Sequence, residues 1–493
     1  MKRTAACLLA VLMLLSLVSC GATQGEDETE GTKIRLGDDG ISVNGTSISE
    51  DTAAAVYAAH DIIFYLQGQG ISYGEGDSDD EHTQQEADAH TVVYITQPGT
   101  YILSGQLSAG QIAVDLGEDA GSDPNAVVTL VLDGVDITCQ VAPAIIFYNV
   151  YECGDADNAG RDVDTSAAGA NILIADGSEN MVNGSYVAKI YESCTLSEDG
   201  SEVLDSKKLH KYDGAVYSKM SMNVSGGEME SGILNIHAEN EGLNSELHLT
   251  INGGNINIVS GDDGINTNED GVSVTTVNGG RLNILVNGQQ GEGDGIDSNG
   301  WLVINGGTVV AEACSTSGDA GIDSDRGIYI NGGTVIAGGN MLDSIAGSRQ
   351  NYAVFTFSRK QSGDGRTYTL KNADGETVMQ AAPANAFSCL ILSAGELEAG
   401  DYTLWCGDEQ LSGVSGSAGG RPMLPEQMTA DQERPEMPTG EAPDGAGQEP
   451  PGKPDGDRGE MPNQADKMPQ GELSGEASEI FSVMEGGNYF MIV

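Results

Sequence analysis

Five short segments recur along the middle of the chain: Val224-Ser225-Gly226-Gly227, Ile251-Asn252-Gly253-Gly254, Val277-Asn278-Gly279-Gly280, Ile304-Asn305-Gly306-Gly307 and Ile330-Asn331-Gly332-Gly333. Their second positions are 27, 26, 27 and 26 residues apart. A period held so closely over five copies is the mark of a solenoid, in which one supersecondary unit stacks on the next. An alternating strand precedes each segment and another follows, so every second side chain points inward. In the later strand the inward residues are Ile256/Ile258, Leu282/Ile284, Val309/Ala311 and Val335/Ala337. Stacked about 4.8 Å apart, these form aliphatic ladders, a core that needs few aromatics. The composition agrees, with 69 glycines against 7 phenylalanines and 2 tryptophans. An array of hairpins would give no reason for a fixed register. The expected fold class is therefore all-β, a parallel β-helix over residues 34–345.

A third corner of each repeat carries Gly242-Leu243-Asn244-Ser245, Gly264-Ile265-Asn266-Thr267, Gly295-Ile296-Asp297-Ser298 and Gly321-Ile322-Asp323-Ser324. Met341-Leu342-Asp343-Ser344 is an imperfect last copy, and Gly214-Ala215-Val216-Tyr217-Ser218 a diverged first one. Upstream, Thr91 to Gly105 and Val127 to Asp136 read as irregular early rungs. Two polar insertions, near 50–89 and 152–210, read as surface excursions. Residues 350–412 lack the repeat and predict a small antiparallel β unit covering the C-terminal end. Residues 413–478, rich in Pro, Glu, Gly, Met and Gln, cannot bury enough apolar surface to offset ordering entropy and read as a disordered acidic tail. The apolar stretch 479–493 reads as an added strand or docking segment.

The third corner is also where chemistry is expected. Acidic residues (Glu241, Asp262, Asp263, Asp294, Asp319) precede the glycine, and Asn244, Asn266, Asp297, Asp323 and Asp343 follow it, with Asp325 close by. Stacking would set equivalent carboxylates roughly 5 Å apart, each like-charged pair costing about 1 kcal/mol in water and several times more in a poorer dielectric. Two readings are open. These residues satisfy the turn backbone, as Asp and Asn commonly do, or they hold calcium, which takes six to eight oxygens in flexible geometry. The expected ligands are Asp262, Asp263, Asn266, Asp294, Asp297, Asp319, Asp323 and Asp325. Trp301 and Tyr329, at outward strand positions on consecutive repeats, are the candidate sugar-stacking rings. Gly261-Asp262-Asp263 is similar to the aspartate pair of polygalacturonases, but no Gly-His-Gly or Arg-Ile-Lys accompanies it, and a lyase would further need a base beside the acidic turns, where Arg326 is the nearest cationic residue. No catalytic residue is assigned.

A formal charge of −53 argues against nucleic acid and against any polyanion not bridged by cations. At the N-terminus, Lys2 and Arg3, an apolar run from Ala5 to Val18, and Leu17-Val18-Ser19-Cys20 resemble a bacterial lipoprotein signal, with residues 1–20 as signal and Cys20 as the lipidated residue. An acidic tether, 21–33, follows. The expectation is an exported, monomeric protein held at the outer face of the bacterial cell membrane by lipid alone. Six further cysteines lack zinc-site spacing; Cys389 with Cys406, and Cys153 with Cys194, are open to pairing or to remaining free.

With these residues laid out, the chain resembles a family of bacterial carbohydrate-binding-domain proteins built on a right-handed parallel β-helix similar to that of pectate lyases. The resemblance runs from Ile34 to about Cys406. It rests on Pro98-Gly99-Thr100-Tyr101 with Ser104-Gly105, Gly110-Gln111-Ile112-Ala113-Val114-Asp115, Leu130-Val131-Leu132-Asp133-Gly134-Val135 and the repeated Gly-Ile-Asp/Asn and Asn-Gly-Gly turns. It implies calcium-loaded turns, drawing on Asp262, Asp263, Asp294, Asp297, Asp319 and Asp323. It also implies binding of plant cell-wall polysaccharide of the cellulose or polygalacturonate class, without established catalysis. The alternatives are a calcium-dependent lyase or hydrolase acting on uronates, and a structural envelope protein that binds no sugar.

Overall fold

The computed structural model describes residues 30–415 and 474–493. The signal, Cys20 and most of the acidic segment lie outside the described residues. Strands dominate; helix is limited to Gln84–Asp88 and the 3-10 turn Glu118–Ser122. Among the described residues no helix is long and apolar enough to cross a membrane.

The repeat becomes three columns of parallel strands. In the first, Val224 pairs with Ile251, Ile251 with Val277, Val277 with Ile304 and Ile304 with Ile330. In the second, Leu234, Ile256, Leu282, Val309 and Val335 follow one another in register. In the third, Val216, Leu243, Ile265 and Ile296 do the same. All of these side chains are buried. Each contributes about 1.5–3 kcal/mol by leaving water, so one aliphatic residue per strand per repeat suffices to hold the stack.

The Asn-Gly-Gly corner shows why both glycines stand there. The second glycine has φ of +92° at Gly254, +77° at Gly280 and Gly307, and +81° at Gly333, a region costly for residues with a Cβ. A Cβ on the first would lie 2.8, 2.6 and 2.5 Å from the preceding repeat's asparagine carbonyl at Gly279, Gly306 and Gly332. Stacking therefore excludes a side chain at one position and backbone twist excludes it at the other.

The segment 152–210 is not a single excursion. Ala170–Ile174 pairs in parallel with Val128–Cys139 and with Met222–Gly226, and Glu179–Gly184 pairs with Val128–Cys139 and Ile233–Ala238. Two of the three strands of a rung lie inside what the polar composition marks as an insertion, and Gly214–Ser218 completes it. Its corner is Asp176-Gly177, with φ +72° at Gly177, in place of Asn-Gly-Gly. What protrudes is the antiparallel hairpin Val187–Leu196 with Val203–Tyr212, and residues 153–169, which cross the outside of the stack. The earlier insertion is anchored as well. Val56–Ala59 closes one sheet antiparallel to Thr91–Ile95, and residues 74–80 dock on the hairpin: Glu75 meets Lys189 Nζ at 2.9 Å and accepts from Tyr191 OH at 2.9 Å, and Asp80 accepts from Tyr186 OH at 2.5 Å.

At the other end, Phe387–Ser393 pairs antiparallel with Thr334–Gly339 of the last repeat and with Tyr352–Gln361. Gly400–Cys406 belongs to another sheet, beside Tyr368–Asn372. The two strands bearing Cys389 and Cys406 thus lie in different sheets, and all six cysteines of the described residues are free. This end has an ordinary aromatic core of Phe355, Phe357, Phe387, Phe481 and Phe490, five of the seven phenylalanines. The segment 479–493 supplies part of it: Phe481–Val483 pairs with Gly400–Cys406, and Gly487–Ile492 lies parallel to Tyr352–Gln361. Gly413–Ser415 and Ser474–Ser478, at the two edges of the expected acidic tail, pair with each other as strands, and the rest of that tail, 416–473, lies outside the described residues.

Candidate metal centre

Register builds the acidic corner. Asn244, Asn266 and Asp297 stand in one column, and Asp323 continues it, its backbone N–H donating to Ile296 O at 2.7 Å. One turn earlier, each carboxylate accepts a backbone N–H from the next repeat: Asp263 Oδ1 from Asp294 at 2.6 Å, and Asp294 Oδ1 from Ala320 at 2.5 Å. Asp319 Oδ2 accepts from Gly293 N at 2.7 Å. The turn-satisfying role is therefore present, and each carboxylate keeps further lone pairs.

Those lone pairs converge. Asp294, Asp297 and Asp323 each offer a carboxylate oxygen within 4.8 Å of the others, the one such three-residue group among the described residues. Asn266, next in the column to Asp297, gives its Nδ2 to Glu241 Oε1 at 3.0 Å while its buried Oδ1 accepts no hydrogen bond. At 4.8 Å, two full charges repel by about 3–4 kcal/mol at an effective dielectric near 20. Burial, and then the neighbouring carboxylates Asp323, Asp297 and Asp319, hold Asp294 well above the usual carboxylate range. Asp263 is raised likewise, by burial and by Asp262, Asp297 and Asp294. Asp297 is pushed up to about 6 by burial and Asp325, and Asp262 to about 7 by burial, Glu292, Asp319 and Asp213.

The expected ligand set thus divides. Asp294, Asp297 and Asp323 meet; Asn266 stands beside them; Asp263 and Asp319 border them through backbone hydrogen bonds. Asp262 is not one of the three, and its nearest charges are Glu292, Asp319 and Asp213, while Asp325 is exposed. Two acidic neighbours were not in that set. Asp213 precedes Gly214 as Asp263 precedes Gly264, a signal visible in the diverged first copy; its carboxylate is raised by burial against the pull of Lys211 at 3.2 Å. Glu292 stands three residues before Gly295, as Glu239 does before Gly242, but glycine (Gly261, Gly318) holds that position in the other two copies, so the column is not continuous. The donors present are carboxylate and carboxamide oxygens, which suits calcium or another hard cation and not zinc, which favours nitrogen and sulfur.

Trp301 and Tyr329 project outward on adjacent strands, Trp301 opposite Gly327 and Tyr329 opposite Val303. Each ring carries a guanidinium: Arg326 lies 5.3 Å from the Trp301 centroid and Arg161 lies 4.2 Å from that of Tyr329. Arg326 is thus directed to the outer face, beside the ring. Arg161 arrives on the 153–169 segment, which Thr165 fastens to the same face by bridging Asn223 Oδ1 and Thr250 Oγ1, each at 2.7 Å.

A family model described as carbohydrate-binding domain-containing protein matches residues 89–351. A protein of that description from Acetivibrio thermocellus is 29% identical over 204 residues, 39% of this chain and 57% of that protein, so the chain spans a little over half of the relative's length. A solved structure described as a polysaccharide lyase-like protein from C. thermocellum, in a gadolinium derivative, aligns over 65% of this chain and 93% of that one, at 21% identity and a TM-score of 0.36. The matched residues take in nearly all of the parallel stack and its acidic corner, and the chain belongs to the family of carbohydrate-binding domain-containing proteins.

Proposed function

We propose that this chain is a right-handed parallel β-helix that binds an extracellular polysaccharide, of the cellulose or polygalacturonate class, and depends on calcium at the Gly-Ile-Asp corner. In this reading it is exported and anchored through lipid on Cys20. The observation that carries the calcium assignment is the convergence of Asp294, Asp297 and Asp323. Buried carboxylates so close need protons or a cation, and at neutral pH a divalent oxygen-liganded ion removes the repulsion at least cost. Asp294, Asp297 and Asp323 would hold the ion, with Asn266 Oδ1 the nearest further donor. The glycan assignment rests on family membership. Trp301 and Tyr329 are its candidate rings; because Arg326 and Arg161 lie over them, a sugar would stack there by displacing a guanidinium, which would then donate to sugar oxygens from the rim.

The test is a pulldown on insoluble cellulose and on pectate, with and without chelator, beside calorimetric titration of the chelated protein with calcium. Retention that weakens on chelation, with calcium-dependent heat, is the expected result. Absence of heat and of any change in melting temperature removes calcium; absence of retention removes the glycan. Incubation with polygalacturonate, followed at the ultraviolet absorbance of unsaturated product and by reducing ends, separates a binder from an enzyme.

A further inference from the structure

The second column of strands presents an outer face with a different character. A groove of about 620 Å³ opens where these strands end. Its floor crosses four adjacent strands in register, Thr138 beside Asn183, Asn183 beside His237 and His237 beside Val259. One wall is His82, on the earlier insertion, whose backbone is pinned by His82 N donating to Tyr65 O and His82 O accepting from Gln67 N, each at 2.9 Å. The other is the turn bearing Gln289, held by Gln289 N donating to Asn287 Oδ1 at 2.9 Å. Gln140 and Glu239 also line it.

The groove is rigid and its polar tips are largely uncommitted. Asn183 Nδ2 donates to Thr138 Oγ1 at 3.1 Å, and its carboxamide oxygen accepts no hydrogen bond among the described residues. Glu239 accepts from Ser185 Oγ at 2.7 Å. His237 is exposed and makes no hydrogen bond among the described residues. Amide and imidazole groups offer donors and acceptors together, the requirement of a sugar hydroxyl, which is both. Strands recur about every 4.8 Å, so the floor spans roughly 14 Å, and a hexose unit in an extended chain advances by a distance comparable to one strand spacing. Successive rings would meet successive strands. Charge selects among glycans: the groove's lining holds one carboxylate, Glu239, and no lysine or arginine, and the chain's net charge is −53, so a polyanion is disfavoured here.

We propose that this groove is a second glycan site, distinct from the Trp301/Tyr329 face, which takes an uncharged, extended polysaccharide lying along the stack axis. The proposal rests on the polysaccharide-binding reading above. Its probe is cellohexaose, titrated calorimetrically into wild type, W301A/Y329A, and that variant further carrying N183A/H237A, with H237A alone as a milder change at an exposed position. Cellohexaose affinity that persists in W301A/Y329A and falls at least about tenfold on adding N183A/H237A is expected, since two hydrogen-bonding groups are lost. H237A alone should lower it severalfold with an unchanged melting temperature. Affinity unaltered by N183A/H237A, or abolished by W301A/Y329A alone, overturns the groove while leaving the functional reading intact. Wild type that binds oligogalacturonate but not cellohexaose does the same. Wild type that binds neither overturns both.

Discussion

Two polar ladders run up the same stack and meet opposite fates. At the Asn-Gly-Gly corner, Asn278 Nδ2 donates to Asn252 Oδ1 at 2.9 Å, Asn305 to Asn278 at 2.9 Å and Asn331 to Asn305 at 2.8 Å. A carboxamide is donor and acceptor at once, so stacking identical copies satisfies both ends. At the Gly-Ile-Asp corner the stacked group is a carboxylate, which only accepts. Backbone N–H groups of the next repeat fill part of its capacity, and the remainder faces more carboxylate. The same stacking closes one ladder on itself and collects like charge in the other. Charge, and not shape, separates the self-satisfied corner from the acidic one.

The sharpest way to break this comparison is to remove divalent ions and raise the pH. Asp262 and Asp297 are pushed up to about 7 and about 6, above their unfolded values, and burial among like charges also raises Asp263 and Asp294 well above the usual carboxylate range. A raised carboxyl contributes stability that is fully present below the unfolded value and is lost as pH rises through the folded value. Buried His90 and His248 are depressed below 6.5 and act in the opposite sense, but only below that pH. In chelator, the contribution of these carboxyls to stability should therefore fall as pH rises from about 4 through about 7, by on the order of a few kcal/mol, as read by chemical denaturation. Calcium should flatten the slope. A slope unchanged by calcium would mean that the acidic corner is protonated and not metallated.

A smaller effect, and one of opposite sign in the two conditions, is expected for Asp297→Asn, which copies Asn266 from the preceding repeat. In chelator at pH 8 it should stabilise by about 1–3 kcal/mol by removing like charge, while calcium affinity falls at least about tenfold through the lost ligand. The smallest effect belongs to the self-satisfied ladder. Asn305→Asp keeps the acceptor for Asn331 and loses the donor to Asn278, at an exposed site. A loss of about 0.5–1 kcal/mol is expected, with no rescue by calcium; rescue would show that the corner's backbone alone makes a cation site.

Much of this was legible because a solenoid repeats its local rules. Ile256, Leu282, Val309 and Val335 are inward by alternation alone, and the structure stacks them as the period requires. The rung at 170–184 was hidden because it substitutes Asp-Gly for Asn-Gly-Gly and sits between long polar stretches, although Ile172, Ile174 and Val182 alternate as core residues should. The acidic corner was readable as a column but not as a centre. Nothing local says that Asp294, Asp297 and Asp323 meet while Asp262 stays outside the group.

The sequence by itself determined the period, the inward ladders and the corner at which charge accumulates, because each depends on residues within one repeat. Only the tertiary structure decided which carboxylates converge, that the first insertion docks on the 187–212 hairpin, that an arginine from residue 161 covers Tyr329, and that the last strand returns to Tyr352–Gln361. These pair residues far apart in the chain, and their distances are set by how long loops pack across rungs, which local patterning does not encode.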